Sequence, residues 1–229
     1  RFEAGRPLSH EKEEARQEVS ASGRALRSAG SRAGREGVRV LKRLAPGAVS
    51  LFLVAYSWDL LVQLRALESP LSIAGAAFWG WLLALSVTGI FAFAGFGFPT
   101  ERLLPDSYYR VGEEDRLLAL YRITGAHWMK PLLATAFRRL GRNQGTYFSG
   151  TRSGLDDFDR RTRKSEFGHL AAFVLIVPVS LVLLLSGQVL VAFVALLANW
   201  IGNLCPVVIQ RQHRFRIQRV RARQQQSAV

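Results

Sequence analysis

Leu170–Gln210 reads LAAFVLIVPVSLVLLLSGQVLVAFVALLANWIGNLCPVVIQ, a run in which no side chain is ionised. As one helix rising 1.5 Å per residue it would be roughly 60 Å long, about twice the ~30 Å hydrocarbon core of a bilayer. One crossing cannot hold it, so the run must turn. Ser186-Gly187-Gln188 is the place, because Gly ends a helix in the left-handed conformation at little cost and both neighbours are polar. The stretch therefore predicts two crossings.

Working outward, Leu71–Phe98 contains no charged residue and Leu44–Leu64 is interrupted by Asp59 alone. Each is long enough for one crossing. Leu71–Phe98 exceeds one bilayer thickness, so either it tilts or its Gly-rich end, Phe93 to Phe98, leaves the helix, with Pro99 as the stop. The expected fold class is thus an all-α integral membrane protein with four transmembrane helices in two hairpins and a helical cytoplasmic middle loop. The corresponding segments are a basic, flexible tail (1–43), a first hairpin (44–98), the loop (99–167), a second hairpin (168–210) and a basic C-terminal tail (211–229).

Charge supports the same count. Of 31 Lys and Arg, eleven precede the first span, thirteen lie between the second and third, six follow the fourth, and Arg65 sits alone elsewhere. Cytoplasmic segments carry such an excess, and an even number of spans returns the chain to the same side. Both ends and the loop are expected at the cytoplasmic face of the cell (inner) membrane. The net charge of +14 is explained by topology, so no nucleic-acid partner is expected. Residues 1–35 lack the apolar core of a secretory signal and read as a solvated tail that grazes anionic lipid headgroups. Cys205 has no second cysteine to pair with, which excludes an intramolecular disulfide or a cysteine metal cluster.

The middle segment opens with the turn Leu104-Pro105-Asp106-Ser107, and Tyr108 and Tyr109 suit the interfacial belt. Glu113-Glu114-Asp115 supplies negative charge to a helix start, with Leu117, Leu118, Leu120 and Tyr121 as its apolar positions. A second helix over His127 to Leu140 carries Trp128, Leu132, Leu133 and Phe137 on one side, an amphipathic pattern suited to the interface. Ser153 and Asp156 have capping-box spacing, and the helix they open runs through Arg160, Arg163 and Glu166 into the third span.

Glu166 and His169 share a helical face at the mouth of that span. A His there can take a proton from a hydroxyl while a carboxylate fixes its tautomer. The blander alternative pairs Glu166 with Arg163 or Arg211 and leaves His169 as a headgroup anchor. Asn199, Asn203 and Gln210 form a polar stripe on the fourth span, either meeting a substrate or joining helices by bonds worth about 0.6 kcal/mol each. Arg211, Arg214 and Arg216 follow, fit for phosphate or simply selected by topology. Asp59 is costly to ionise in lipid and its role stays open. No zinc spacing, phosphate loop or serine elbow occurs, and no metal site is expected.

Arg163 to Ile217 resembles the glycosyl-diaponeurosporenoate acyltransferase family. Lys164-Ser165-Glu166-Phe167-Gly168-His169 is similar to its Glu-x-x-His element, with Leu170 where Trp is usual. Asn203, Gln210-Arg211, Arg214 and Arg216 are similar to its Asn, Gln-Arg and paired Arg, with His213 and Phe215 in place of Asn and Pro. Leu104 to Tyr109 resembles its Pro-Asp-x-Tyr turn, with Tyr121 and Trp128 downstream, so the likeness extends over roughly residues 104–216.

The resemblance implies transfer of a fatty acyl group to a sugar hydroxyl of a lipid or carotenoid glycoside, with acyl-CoA as co-substrate and no cofactor. On that reading His169 activates the hydroxyl and Glu166 orients it. Asn203, Gln210, Arg211, Arg214 and Arg216 bind substrate, and membrane lipids are the other partners. The rival is a non-enzymatic accessory or assembly subunit with a membrane-protein partner. A transporter fits less well, since Asp59 is the single acid within the spans.

Overall fold

The computed structural model describes residues 44–139 and 152–226. The basic tail read over residues 1–43 lies outside the described residues, as do the side chains of Leu133 and Phe137. Of the two units into which the chain divides, Arg1–Ala45 and Pro46–Val229, the second carries nearly all that is described. The regular structure of the described residues is helical: α1 (Leu44–Arg65), α2 (Ile73–Gly97), α3 (Asp106–Tyr109), α4 (Glu114–Ile123), α5 (Ala126–Arg139), α6 (Arg152–Leu185), α7 (Val189–Asn199) and α8 (Cys205–Gln226). A 3₁₀ turn at Thr100–Arg102 follows α2, and a π-helical turn at Trp200–Leu204 joins α7 to α8. Four helices, α1, α2, α6 and the continuous α7–α8, are long and apolar enough to cross a membrane.

Each predicted boundary has a local cause. Ser72 caps α2 by accepting from the Gly75 N–H at 3.3 Å. The Gly-rich end of this helix stays helical to Gly97, and Pro99 follows immediately after the extended Phe98. Between α6 and α7, the Gln188 N–H donates to the Leu183 carbonyl (2.9 Å) and the Gly187 N–H to Leu184 (3.1 Å), with Gly187 at φ +81. This is the Schellman closure, whose left-handed residue a Cβ disfavours. Gly187→Ala is therefore expected to destabilise the protein by about 1–2 kcal/mol, read as a lowered thermal midpoint in detergent.

The bundle core is made by Ala76, Leu83, Ala84 and Val87 of α2, Ile176 and Leu183 of α6 and Val191 and Ala192 of α7, with Leu60 and Leu64 of α1. Helices α2 and α7 approach closely at Gly80, where a Cβ would lie 2.7 Å from the Val191 carbonyl. Serines tie α1 to α2: Ser57 donates to the Ser86 hydroxyl and Ser50 to the Ile90 carbonyl, both at 2.9 Å. Asp59 points away from this core and accepts from Gln63, its neighbour one turn on, at 2.6 Å.

The π turn also has a sequence cause. Pro206 has no N–H to offer the Gly202 carbonyl, so regular α-bonding fails one turn before it. The Cys205 N–H reaches back five residues to the Trp200 carbonyl instead. Helices α4 and α5 dock on α8 just beyond that turn. The Thr124 carbonyl accepts from both the Trp200 indole N–H and the Cys205 thiol, each at 3.1 Å. Leu117 is buried at this contact, whereas Leu118, Leu120, Trp128 and Leu132 are exposed, so only part of the predicted apolar face is used in packing.

Candidate functional site

The residues singled out from sequence gather where α6 enters the bundle and α8 leaves it. Glu166 is completely buried, and each of its oxygens takes an arginine from α8: Arg211 Nε at 3.1 Å on one, and an Arg214 guanidinium nitrogen on the other. Arg214 is 1% exposed. Asp159, two turns earlier on α6, lies 3.7 Å from Arg214 Nε, 3.4 Å from Arg163 and 3.3 Å from Arg221. Asp156 accepts from Arg221 at 2.6 Å, and the side chain of Ser153, with which it has capping-box spacing, lies outside the described residues. Carboxylates and guanidiniums thus alternate along the α6–α8 seam, and at its inner end burial strengthens the pairing of Glu166 with Arg214 while penalising any unmatched charge.

The turn at α3 closes the network. Arg163 pairs with Asp106, and Arg211 donates to the Tyr108 carbonyl at 3.4 Å while lying 4.5 Å above the Tyr108 ring. The Tyr109 ring receives Arg163 at 4.8 Å and Arg214 at 4.6 Å. Sequence placed both tyrosines in the interfacial belt, but Tyr109 is buried in the network because its ring serves two guanidiniums at once. Desolvation, and next the nearby Glu166 charge, push its hydroxyl up to about 12, so it stays neutral. The Gln218 side chain pins the strand between α3 and α4, donating to the Tyr109 carbonyl at 3.2 Å and accepting from the Val111 N–H at 3.3 Å.

His169, one turn deeper, belongs to a separate constellation. Its Nδ1 lies 3.1 Å from Asn203 Oδ1. The Gly202 carbonyl, which Pro206 leaves without its helical partner, also faces the ring. Asn203 Nδ2 donates to Thr88 Oγ1 at 2.9 Å and to Asn199 Oδ1 at 3.0 Å, and Asn199 Nδ2 donates to the Phe173 carbonyl at 3.1 Å.

The structure brings the sequence-predicted residues to one end of the bundle but divides their partners. Of the two readings of Glu166 from sequence, the structure has the pairing with Arg211, joined by Arg214, and Asn203 rather than Glu166 contacts the imidazole, because two arginines occupy both Glu166 oxygens. Gln210 donates to Ser165 Oγ at 3.2 Å. Arg216 is exposed, toward α4 and α5, and makes no ion pair or hydrogen bond with any described residue. Thr88 and Asp159 were not singled out from sequence. A hydroxyl in an apolar span and an acid seven residues before Glu166 carry no spacing signal of their own.

Comparison with known proteins bears on this same region. No curated protein and no solved structure matches the chain. A family model, described as glycosyl-4,4'-diaponeurosporenoate acyltransferase, matches residues 105–223, from the turn before α3 to the end of the arginine ladder on α8. That is more than half of the chain, and it contains Glu166, His169, Asn203 and all the arginines of the seam, so the protein belongs to the glycosyl-4,4'-diaponeurosporenoate acyltransferase family.

Proposed function

We propose that this protein is a membrane acyltransferase that moves a fatty acyl group from a thioester such as acyl-CoA to a sugar hydroxyl of a lipid or carotenoid glycoside, at the cytoplasmic face of the cell membrane. In this arrangement the spans form two hairpins with both ends and the middle segment in the cytoplasm. One observation carries the reading: within the family-matched segment, His169 has Nδ1 engaged by Asn203 and stands at the junction between the ion-paired seam and the apolar bundle. A glycolipid with its chain in the membrane brings its sugar to that depth.

His169 is the general base. The acceptor hydroxyl gives its proton to Nε2 as its oxygen attacks the thioester carbonyl, and the tetrahedral intermediate collapses by breaking the C–S bond. The proton then passes from the imidazolium to the departing thiolate, which restores the neutral ring. Glu166 is not the orienter in this scheme. Its charge is spent on Arg211 and Arg214, which lock α6 to α8 and so fix where His169 stands. Arg216 is the arginine of the predicted set left to meet phosphate.

Purified protein in lipid nanodiscs, given a long-chain acyl-CoA and a carotenoid glycoside, should yield the acyl ester by mass spectrometry. A well-folded preparation that forms no ester from any acyl-CoA would overturn the assignment in favour of an accessory role. Arg216→Ala should raise KM for acyl-CoA roughly tenfold with little change in kcat, as loss of a contact made equally in ground and transition states does.

A further inference from the structure

We infer that Thr88 and Asn199, acting through Asn203, set the tautomer of His169, holding the hydrogen on Nδ1 and leaving the lone pair on Nε2. The inference rests on the reading of His169 as the base, yet it concerns residues that the reading leaves idle. Thr88 lies on α2, outside the matched segment 105–223.

The direction of the bonds that Asn203 makes follows from two backbone carbonyls, of Phe173 and Ala84, which can only accept, as can the Gly202 carbonyl that faces the His169 ring. At one end, Asn199 Nδ2 donates to the Phe173 carbonyl at 3.1 Å. Its amide is thereby oriented, and Asn199 Oδ1 is the atom that faces Asn203, 3.0 Å away. At the other end, the Thr88 hydroxyl donates its single hydrogen to the Ala84 carbonyl at 2.7 Å. Its oxygen is left to accept, and Asn203 Nδ2 supplies that bond at 2.9 Å. The hydroxyl also approaches Asn203 Oδ1 at 3.3 Å, but the shorter bond to Ala84 claims its hydrogen.

Both Asn203 N–H groups are now committed to acceptors. Asn203 Oδ1 is therefore the atom turned to His169, and an amide oxygen cannot donate. The Nδ1 nitrogen at 3.1 Å must carry the hydrogen of that bond. In a neutral imidazole the other nitrogen then holds the lone pair, which is what a base needs. Asn203 is 1% exposed and Asn199 likewise, so the bond between them is shielded from water. Flipping the Asn203 amide would break two bonds, one of them buried, to make one.

Thr88 and Asn199 are positioning residues, and the variants Thr88→Val and Thr88→Ser separate their role from packing. Valine keeps the shape and removes the acceptor, so that a flip of the Asn203 amide then breaks one bond, to Asn199, instead of two. Nitrogen-15 NMR of histidine-labelled protein at alkaline pH, with the His169 signals identified by their loss in His169→Ala, reads the tautomer without any substrate. Wild type and Thr88→Ser should show a protonated Nδ1 and a bare Nε2, and Thr88→Val a mixture of both tautomers. In turnover, Thr88→Val should lower kcat roughly tenfold to a hundredfold with KM unchanged, and Thr88→Ser should restore it. Should Thr88→Val fail to fold, Asn199→Ala is read in the same way. A wild-type signal with the hydrogen on Nε2, or a variant whose tautomer and kcat match the wild type, overturns the inference. Absence of acyl transfer in the wild type would instead refute the catalytic reading, while the NMR signals would still report the tautomer.

Discussion

Glu166→Gln is expected to lower the stability of the folded protein by about 3–5 kcal/mol, a loss large enough to leave much of it unfolded at ordinary temperature. The carboxylate has no exposed surface, and it is the counter-charge of Arg211 and of the almost fully buried Arg214. An uncharged amide would strand those guanidiniums where water cannot reach Arg214, although Asp159 at 3.7 Å retains part of its field. Arg214→Met should do comparable harm by stranding Glu166. The double variant Glu166→Leu, Arg214→Met should be less damaged than either single one, since the fully buried pair is removed together and the charge left without its partner, Arg211, is the one that water reaches. Thermal unfolding in detergent supplies the comparison. An unchanged midpoint in Glu166→Gln would mean that the α6–α8 seam is not what holds this end of the bundle together.

The residues that defined the crossings were legible because lipid imposes a long-range rule on a local pattern. The uncharged run Leu170–Gln210 exceeds a bilayer twofold, and Gly187 was where it had to turn. Of the partners across the seam, the alternative pairing of Glu166 with Arg211 was legible, and the rest were not. The arginines after Gln210 read as a terminal tail chosen by topology, yet α8 continues to Gln226. Along it Arg219 reaches Glu114 at 3.1 Å and Arg221 reaches Asp156 at 2.6 Å, acids more than sixty residues away. Glu166 and His169 do share a face, as their spacing demanded, but spacing on one helix says nothing about what the facing helix offers. Long arginine side chains reach Glu166, whereas the short Asn203, set within the π turn, reaches His169. Pro206 was visible in the sequence, and the irregular turn it produces is the part of the site that a proline one turn downstream could have announced.

His169→Ala should give the converse result: acyl transfer falling by a factor of about 10²–10⁴ while stability changes by no more than about 1–2 kcal/mol. The imidazole makes one side-chain hydrogen bond, to Asn203, and bears no ion pair, so its removal strands no charge. Asn203 keeps its bonds to Thr88 and Asn199 and loses only what its oxygen accepts. His169→Gln sharpens the comparison, since an amide can donate to Asn203 Oδ1 yet offers no nitrogen lone pair to take a proton. Restored stability without restored turnover in that variant separates the base from the anchor. Turnover surviving in both variants would assign His169 to the headgroup boundary and move the search for a base elsewhere. A loss of fold equal to that of Glu166→Gln would put the two residues in one structural unit, against the division their partners make between the arginine seam and the Asn203 network.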